Sequence, residues 1–466
     1  MRLNKDKNSF FKFDMAYPLH TWYPLFSEEK VSEEKYKVFN NIDINGIKNR
    51  ALYFHIPFCE ERFCAFCSFN RKLKDNDSEI ENYVESLIEE IKIKSQFKSV
   101  KKVPITAIFF GGGTPSVLSA KQILKLGEAI SKYFDLSQLK EFSFENNICS
   151  ITEEKLLALK EIGVTHVRAG VQTLNKEYRE YFNLRPTLND IYSKIKLLNK
   201  YFENVCIDII YGINGQNVDE FIRDVDAACK LDTKLIDFYP LTQPKGNSQL
   251  YKLFSENGLK PHTELSLKGY KSLLRELTKQ YGYIPHNGHG FVNTKFLSDD
   301  SKRDFITRDY TFEYHKCIMG YESGDVIGFG SGAVSGFSNY VMTNECNITQ
   351  YEEKLQKGQI PTDIFTANKE ANYARGVMSH LPYFGYANKE FVNYNKLSEE
   401  TKKSLRNLIE ADLIIETENE YKMTPEAWIW DNEIMYYLMP MSAKEELNKS
   451  FTGKLSDKYY NICELK

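Results

Sequence analysis

From Ala51 onward the chain alternates short apolar runs with amphipathic stretches. The runs "ALYFHI", "ITAIFF", "EFSFE", "THVRAGVQ", "VCIDIIYG" and "LIDFYPL" have the length and β-branched or aromatic character of buried strands. Helical text separates them. In "SEIENYVESLIEEIKIKSQF", Tyr83, Leu87 and Ile91 recur every four residues, which predicts one buried helical face. "SAKQILKLGEAISKYF" opens with Ser119 and carries Gln122 three residues later, a capping box. "TEEKLLALKEIG" has Thr152 as N-cap and Gly163 as terminator. Six strand-then-helix units in series predict parallel strands joined by crossover helices.

Polar residues decide between a doubly wound sheet and a barrel. Glu145, Gln172 and Asp208 each fall at or just past the end of an apolar strand, alongside a cysteine-rich and a glycine-rich loop. Side chains gathered from the carboxyl ends of many strands converge on one mouth in a barrel. The expected fold is therefore α/β, a partial TIM-like (β/α)6 barrel over residues 51–245. Residues 1–50 read as an irregular, aromatic-rich N-terminal extension, and 246–350 as a barrel extension that closes the active site. Residues 351–466 form a smaller C-terminal domain, in which "SEETKKSLRNLIEADLIIETENEYKMT" reads as a helix followed by a hairpin, a winged-helix-like arrangement.

Composition narrows the function classes. Apolar residues make up 42% of the 466, which describes a folded chain. With 61 basic and 64 acidic residues the net charge is -3, so neither nucleic acid nor an anionic membrane is an expected partner. No apolar run approaches 18 residues and no secretory signal is present, so a cytoplasmic protein without an integral membrane segment is expected. The nine cysteines are an odd number at irregular spacing, which argues for reduced thiols over a disulfide scaffold.

Three of those cysteines crowd into "HIPFCEERFCAFC": Cys59, Cys64 and Cys67. Structural zinc takes four protein ligands, and no second close pair follows. Cys149 or Cys206 could complete a zinc site, although both read as buried strand-edge thiols used for packing. Alternatively, three thiolates hold three irons of a [4Fe–4S] cluster and leave the fourth open to a small ligand. "FFGGGTPS" then places Gly111, Gly112 and Gly113 directly after a buried strand. Such a turn is either simply tight or exposes backbone for close approach to a ligand. Glu145 is able to accept from ribose hydroxyls.

The motifs "YFHIPFC…CAFC", "GGGTPS", "SFEN", "RAGVQTLN", "IDIIYGINGQ" and "DVIGFGSGA", in this order over residues 51–340, resemble the radical S-adenosylmethionine enzymes of the oxygen-independent coproporphyrinogen III oxidase family. The text around "PITAIFFGGGTPSVLSA" looks most like the anaerobic heme-degrading methyltransferase branch. The resemblance implies a [4Fe–4S] cluster on the three cysteines, with S-adenosylmethionine chelated by the open iron and cleaved to a deoxyadenosyl radical. It places Tyr53, Phe66, Gly112, Glu145 and Val334 at a first S-adenosylmethionine. Gly113, Thr114, Gln172, Arg185, Asp208 and Leu241 match the positions of a second, with Gln172 and Asp208 as the catalytic candidates. It further implies radical C-methylation of heme or another tetrapyrrole, with ring opening and iron release, fed by a flavodoxin- or ferredoxin-type electron donor. Porphyrinogen decarboxylation, quinone C-methylation and a heme-chaperone role are the alternatives within the family.

Two departures stand out. "CEERFC" has four residues between its first cysteines where the family has three, and Arg185 falls one place late relative to Gln172. For the substrate, His286, His289 and His315 are potential axial ligands of a heme iron, though each reads more readily as an ordinary core or surface histidine.

Overall fold

The computed structural model describes residues 26–67, 69–241, 248–303, 305–320, 323–337 and 339–452. Six parallel strands lie side by side in chain order: β1 (Asn49–Ile56), β2 (Ile105–Gly112), β3 (Glu141–Asn146), β4 (His166–Gln172), β5 (Asn204–Tyr211) and β6 (Leu235–Pro240). Their crossovers are the helices α1 (Asp77–Lys94), α2 (Ala120–Tyr133), α3 (Glu153–Glu161), α4 (Leu188–Tyr201) and α5 (Val218–Cys229). Sequential parallel neighbours with a helix between each pair are the arrangement of a partial (β/α)6 barrel. Ser119 and Gln122 form the expected capping box on α2, and Thr152 caps α3.

The two faces of each strand have different chemistry. Leu52, Phe54, Ile108, Phe110, Phe142, Phe144, Val205 and Ile207 point to the helices and join Tyr83, Leu87, Ile91 and their counterparts in one large core. The alternate residues point the other way and are largely polar: His55, Glu145, Arg168, Asp208 and Asp237. Period-two alternation separates them cleanly. Register stacks them in rows, with Glu145 opposite Arg168 and Asp208 opposite Asp237.

The sheet continues past both ends of the six. Strand β7 (Gly290–Asn293) runs antiparallel to β6, and β8 (Gly324–Phe329) runs parallel to β1. Arg50 and Asp325 lock this last pairing through a fully buried double contact of 2.7 and 2.5 Å. Beyond β8 follow Val334–Phe337, Tyr340–Asn344, Thr362–Ala367 and Phe26–Lys30. The N-terminal extension is thus partly regular. Residues 1–25 lie outside the described residues, but Phe26–Lys30 is a strand and Lys35–Asn41 a helix. The strand exists because a distant edge, Thr362–Ala367, supplies its hydrogen-bond partners, a cue that local periodicity does not carry.

A second apolar core gathers Met319 with residues between Ala371 and Leu447. It contains the helix Glu399–Glu410 and the hairpin Ile414–Glu416 with Glu420–Met423, joined by Tyr386–Asn388 into a three-stranded sheet.

Candidate functional site

The carboxyl ends of the parallel strands open into a cleft of about 200 Å³. Cys59, Cys64 and Cys67 line one wall as free, partly buried thiols. Their loop is pinned at both ends. Phe58–Cys59 pairs in parallel with Lys72–Leu73, and Lys74 N–H donates to the Cys59 carbonyl at 2.9 Å. The glycines make room for it. A Cβ on Gly113 would stand 2.8 Å from the Phe58 carbonyl oxygen, and one on Gly112 would sit 2.7 Å from the His55 ring. Gly112 also has φ +114, a conformation side chains resist. "GGG" is therefore required by backbone approach of the cysteine loop to the end of β2.

The loop is poorly suited to bare thiolates. Burial, reinforced by the neighbouring Cys67 and Cys59, pushes Cys64 up to about 12. Only the Arg71 guanidinium and a few hydrogen bonds act in the other direction. A bound cationic metal group would supply the missing compensation. Tetrahedral zinc holds thiolate sulfurs about 3.8 Å apart, from bonds of about 2.3 Å. Among the described residues, the potential metal-binding side chains that come within 4.8 Å of one another are Cys206, Asp208 and Asp237, not the loop thiols. The three loop thiols therefore do not all lie within 4.8 Å of one another. The Cys206 group already encloses a cation, the Arg168 guanidinium. Cys149, expected as a buried strand-edge thiol, instead sits in the turn Ile148–Ser150 and lines the cleft half-exposed, because β3 ends before it.

The floor is acidic. Glu145 accepts from the Gly112 N–H, and burial with the nearby Asp208 charge pushes its carboxyl up to about 7. Arg168 donates from one nitrogen to Asp208 at 3.0 Å and, more closely, to Asp237. Burial raises Asp208, whereas the guanidinium holds Asp237 down. With three carboxylates against one guanidinium, the ionised floor carries excess negative charge. Gln172 ends β4 at φ 71, where a bulge breaks the pairing with β5, and its amide folds over Gly170. Such strain in a non-glycine residue commonly marks a site held in place for function. Arg179 locks the following loop by donating to the carbonyls of Val171, Thr173 and Pro186.

The structure thus brings Cys59, Cys64, Cys67, Phe66, Gly112, Gly113, Thr114, Glu145, Gln172, Arg185 and Asp208 to one cleft. Arg185 stands at its rim, where it pairs with Glu61 at 2.5 Å. Tyr53 lies just below: its hydroxyl donates to His55 Nδ1 at 2.9 Å, while His55 Nε2–H donates to the Asn70 carbonyl at 3.1 Å. Gly111 packs against Tyr53 and Glu145. Leu241 belongs to the apolar cluster behind Phe66, and Val334 lies on the strand next to β8. His286, His289 and His315 do not line the cleft. They are buried beneath it, where the Tyr383 hydroxyl lies 3.2 Å from His289 Nε2 and 2.6 Å from His315 Nδ1. Burial depresses His286 to about 4. Sequence reading missed Arg71, Arg168, Arg179 and Asp237. Arg168 and Asp237 were detectable as charges at inward positions of strands that are otherwise apolar.

Comparison with known proteins agrees with this geometry. Residues 53–228 match the radical SAM superfamily, whose members work with a [4Fe–4S] cluster and S-adenosylmethionine. Over 195 residues the chain is 36% identical to the heme chaperone HemW of Lactococcus lactis, a match covering 42% of this chain and 49% of that protein. Anaerobilin synthase of Escherichia coli O157:H7 is 25% identical over 372 residues, 79% of this chain and 77% of the relative. The solved coproporphyrinogen III oxidase of Escherichia coli superposes with a TM-score of 0.73 at 19% identity, covering 90% of this chain and 97% of that one, which establishes the shared fold. The chain carries a radical SAM domain and is related to tetrapyrrole-associated proteins. Among the described residues no helix is long and apolar enough to cross a membrane.

Proposed function

We propose that this protein is a radical S-adenosylmethionine methyltransferase that uses two S-adenosylmethionine molecules to C-methylate heme or another tetrapyrrole, with ring opening and iron release. The observation that carries the reading is the single cleft in which three thiols share a mouth with the acidic floor of Glu145 and Asp208. Cys59, Cys64 and Cys67 hold the cluster. Tyr53, Phe66, Gly112, Glu145 and Val334 surround a first S-adenosylmethionine, with Gly111 a further cofactor-binding position on the same turn. Gly113, Thr114, Gln172, Arg185, Asp208 and Leu241 surround a second. When bound, the cluster and cofactor supply an electron and a deoxyadenosyl radical, the hard chemistry that no side chain provides.

The chain's own residues bind, orient and exclude water. Excess negative charge on the ionised floor attracts a sulfonium or ammonium cation, and the Arg168 bridge opposes the burial that raises Asp208 and fixes the carboxylate in place. Gln172 presents its amide from a strained position, so little orientation is lost on binding. Beneath the floor, Tyr314 stacks on Phe109 with ring centroids 4.4 Å apart, and Phe109 on Tyr53 at 6.2 Å, which lines the lumen with aromatic rings. A flavodoxin- or ferredoxin-type protein is the proposed electron donor.

A heme-chaperone role is the second reading, favoured by the 36% identity to a heme chaperone over 195 residues. Anaerobic reconstitution with iron and sulfide, followed by mass spectrometry with heme, coproporphyrinogen or a menaquinone offered separately, distinguishes them. Methyl transfer yields deoxyadenosine together with S-adenosylhomocysteine and a methylated product. Decarboxylation releases carbon dioxide without S-adenosylhomocysteine, and a chaperone binds heme with negligible turnover. Either of the last two results refutes the methyltransferase reading.

A further inference from the structure

Arg71 sits on the limb by which the cysteine loop returns to the barrel, one residue before the strand Lys72–Leu73 that pairs with Phe58–Cys59. Its main chain is thereby fixed, since Lys72 N–H donates to the Pro57 carbonyl at 2.7 Å. From there the side chain turns back into the loop. Nη1 donates to the carbonyls of Cys67 at 2.5 Å and Phe69 at 3.1 Å, and Nη2 donates to the carbonyl of Cys64 at 3.2 Å. The guanidinium also lies 4.7 Å over the ring of Phe63, within the four-residue stretch that separates Cys59 from Cys64. Nε is buried, and among the described residues it has no hydrogen-bond partner. A buried N–H without an acceptor is costly, so a ligand that accepts from it is the physical expectation. Arg71 lines the same cleft as the three thiols, and its charge acts on all three.

We infer that Arg71 is the positioning and charge-tuning residue of the cluster loop. Its planar fork sets the bite of the loop through the carbonyls of two cysteines, and it keeps a positive charge and an unused Nε donor on the wall they share. This rests on the assignment of Cys59, Cys64 and Cys67 to the cluster. Lysine cannot replace the arginine fully, because an ammonium supplies the charge without the rigid fork. The fork also accounts for the tolerance of an extra residue between Cys59 and Cys64: the added length folds against the guanidinium by way of Phe63 while the cysteines stay anchored. Reduction adds one negative charge to the cluster, so a nearby guanidinium favours the reduced form, and cluster potentials respond to charge and to hydrogen bonds at sulfur.

The test uses the full chain, reconstituted anaerobically, with Arg71→Met and Arg71→Lys beside the wild type. Iron and sulfide content, loss of absorbance on exposure to a chelator, and a redox titration followed by electron paramagnetic resonance are read without any turnover. In Arg71→Met the ratio of reduced to oxidised cluster at a fixed potential falls about tenfold, a shift of about 59 mV for a one-electron couple. Arg71→Lys keeps the wild-type potential but loses its cluster to the chelator several-fold faster. A cluster of unchanged potential in Arg71→Met, or unchanged chelator resistance in Arg71→Lys, overturns the inference alone. A wild-type chain that takes up no cluster overturns the cysteine assignment, and the inference with it.

Discussion

Arg168 and Asp208 stand 3.0 Å apart at the floor of the cleft, and the same guanidinium nitrogen also serves Asp237 on the next strand. One buried cation thus holds two carboxylates that would otherwise repel each other across β5 and β6. Arg168→Met leaves both uncompensated, and removal of one partner from a buried ion pair costs about 3–5 kcal/mol. Urea unfolding of the metal-free chain measures the loss. Adding Asp237→Asn to the arginine variant should recover part of it, and no recovery would mean the two charges are not coupled.

Gly113→Ala should separate folding from assembly of the site. Its Cβ would fall 2.8 Å from the Phe58 carbonyl oxygen, so the cysteine loop must move while the helices around the barrel stay in place. Circular dichroism near that of the wild type, with iron per chain reduced at least several-fold after reconstitution, is the expected result. Normal iron loading would show that the close approach is dispensable.

The Glu145 carboxyl titrates near pH 7, raised from its ordinary 4.5 by burial and by Asp208. Rising pH therefore adds a negative charge to the floor, and a sulfonium ligand binds more tightly from pH 6 to pH 8, by up to about tenfold per unit below the transition. Stability runs the other way. A folded-state value above the unfolded one contributes stability that is fully present below pH 4.5 and lost as pH rises through 7. Glu145→Gln should flatten the pH dependence of KM for S-adenosylmethionine and remove this component from the urea midpoint of the metal-free chain. A variant with an unaltered pH profile would assign the titration to another group.

Gln172→Gly tests the strain at the end of β4. Glycine relieves a φ of 71, a gain of about 1 kcal/mol, but adds unfolded-state entropy costing about 0.5–1 kcal/mol. The urea midpoint should stay close to that of the wild type, whereas S-adenosylhomocysteine formation should fall at least tenfold. Full activity in this variant would reduce Gln172 to a turn residue.

The amino-acid order alone specified the parallel strand-and-helix series, because period-two and four-residue apolar spacing is a local property of the chain. It also determined the cysteine loop, the glycine turn and the strand-end positions of Glu145, Gln172 and Asp208, since each is marked by residue type next to an apolar run. Which charges meet is set by the folded sheet. Arg168 and Asp237 are 69 residues apart, and Arg50 and Asp325 are 275 apart; strand order and register alone bring them together. The same holds for the strand Phe26–Lys30, whose partners lie on a remote edge, and for the three histidines, which sequence could not place below the cleft instead of within it. Long-range pairing is set by how strands align in the folded sheet, and no local pattern encodes that alignment.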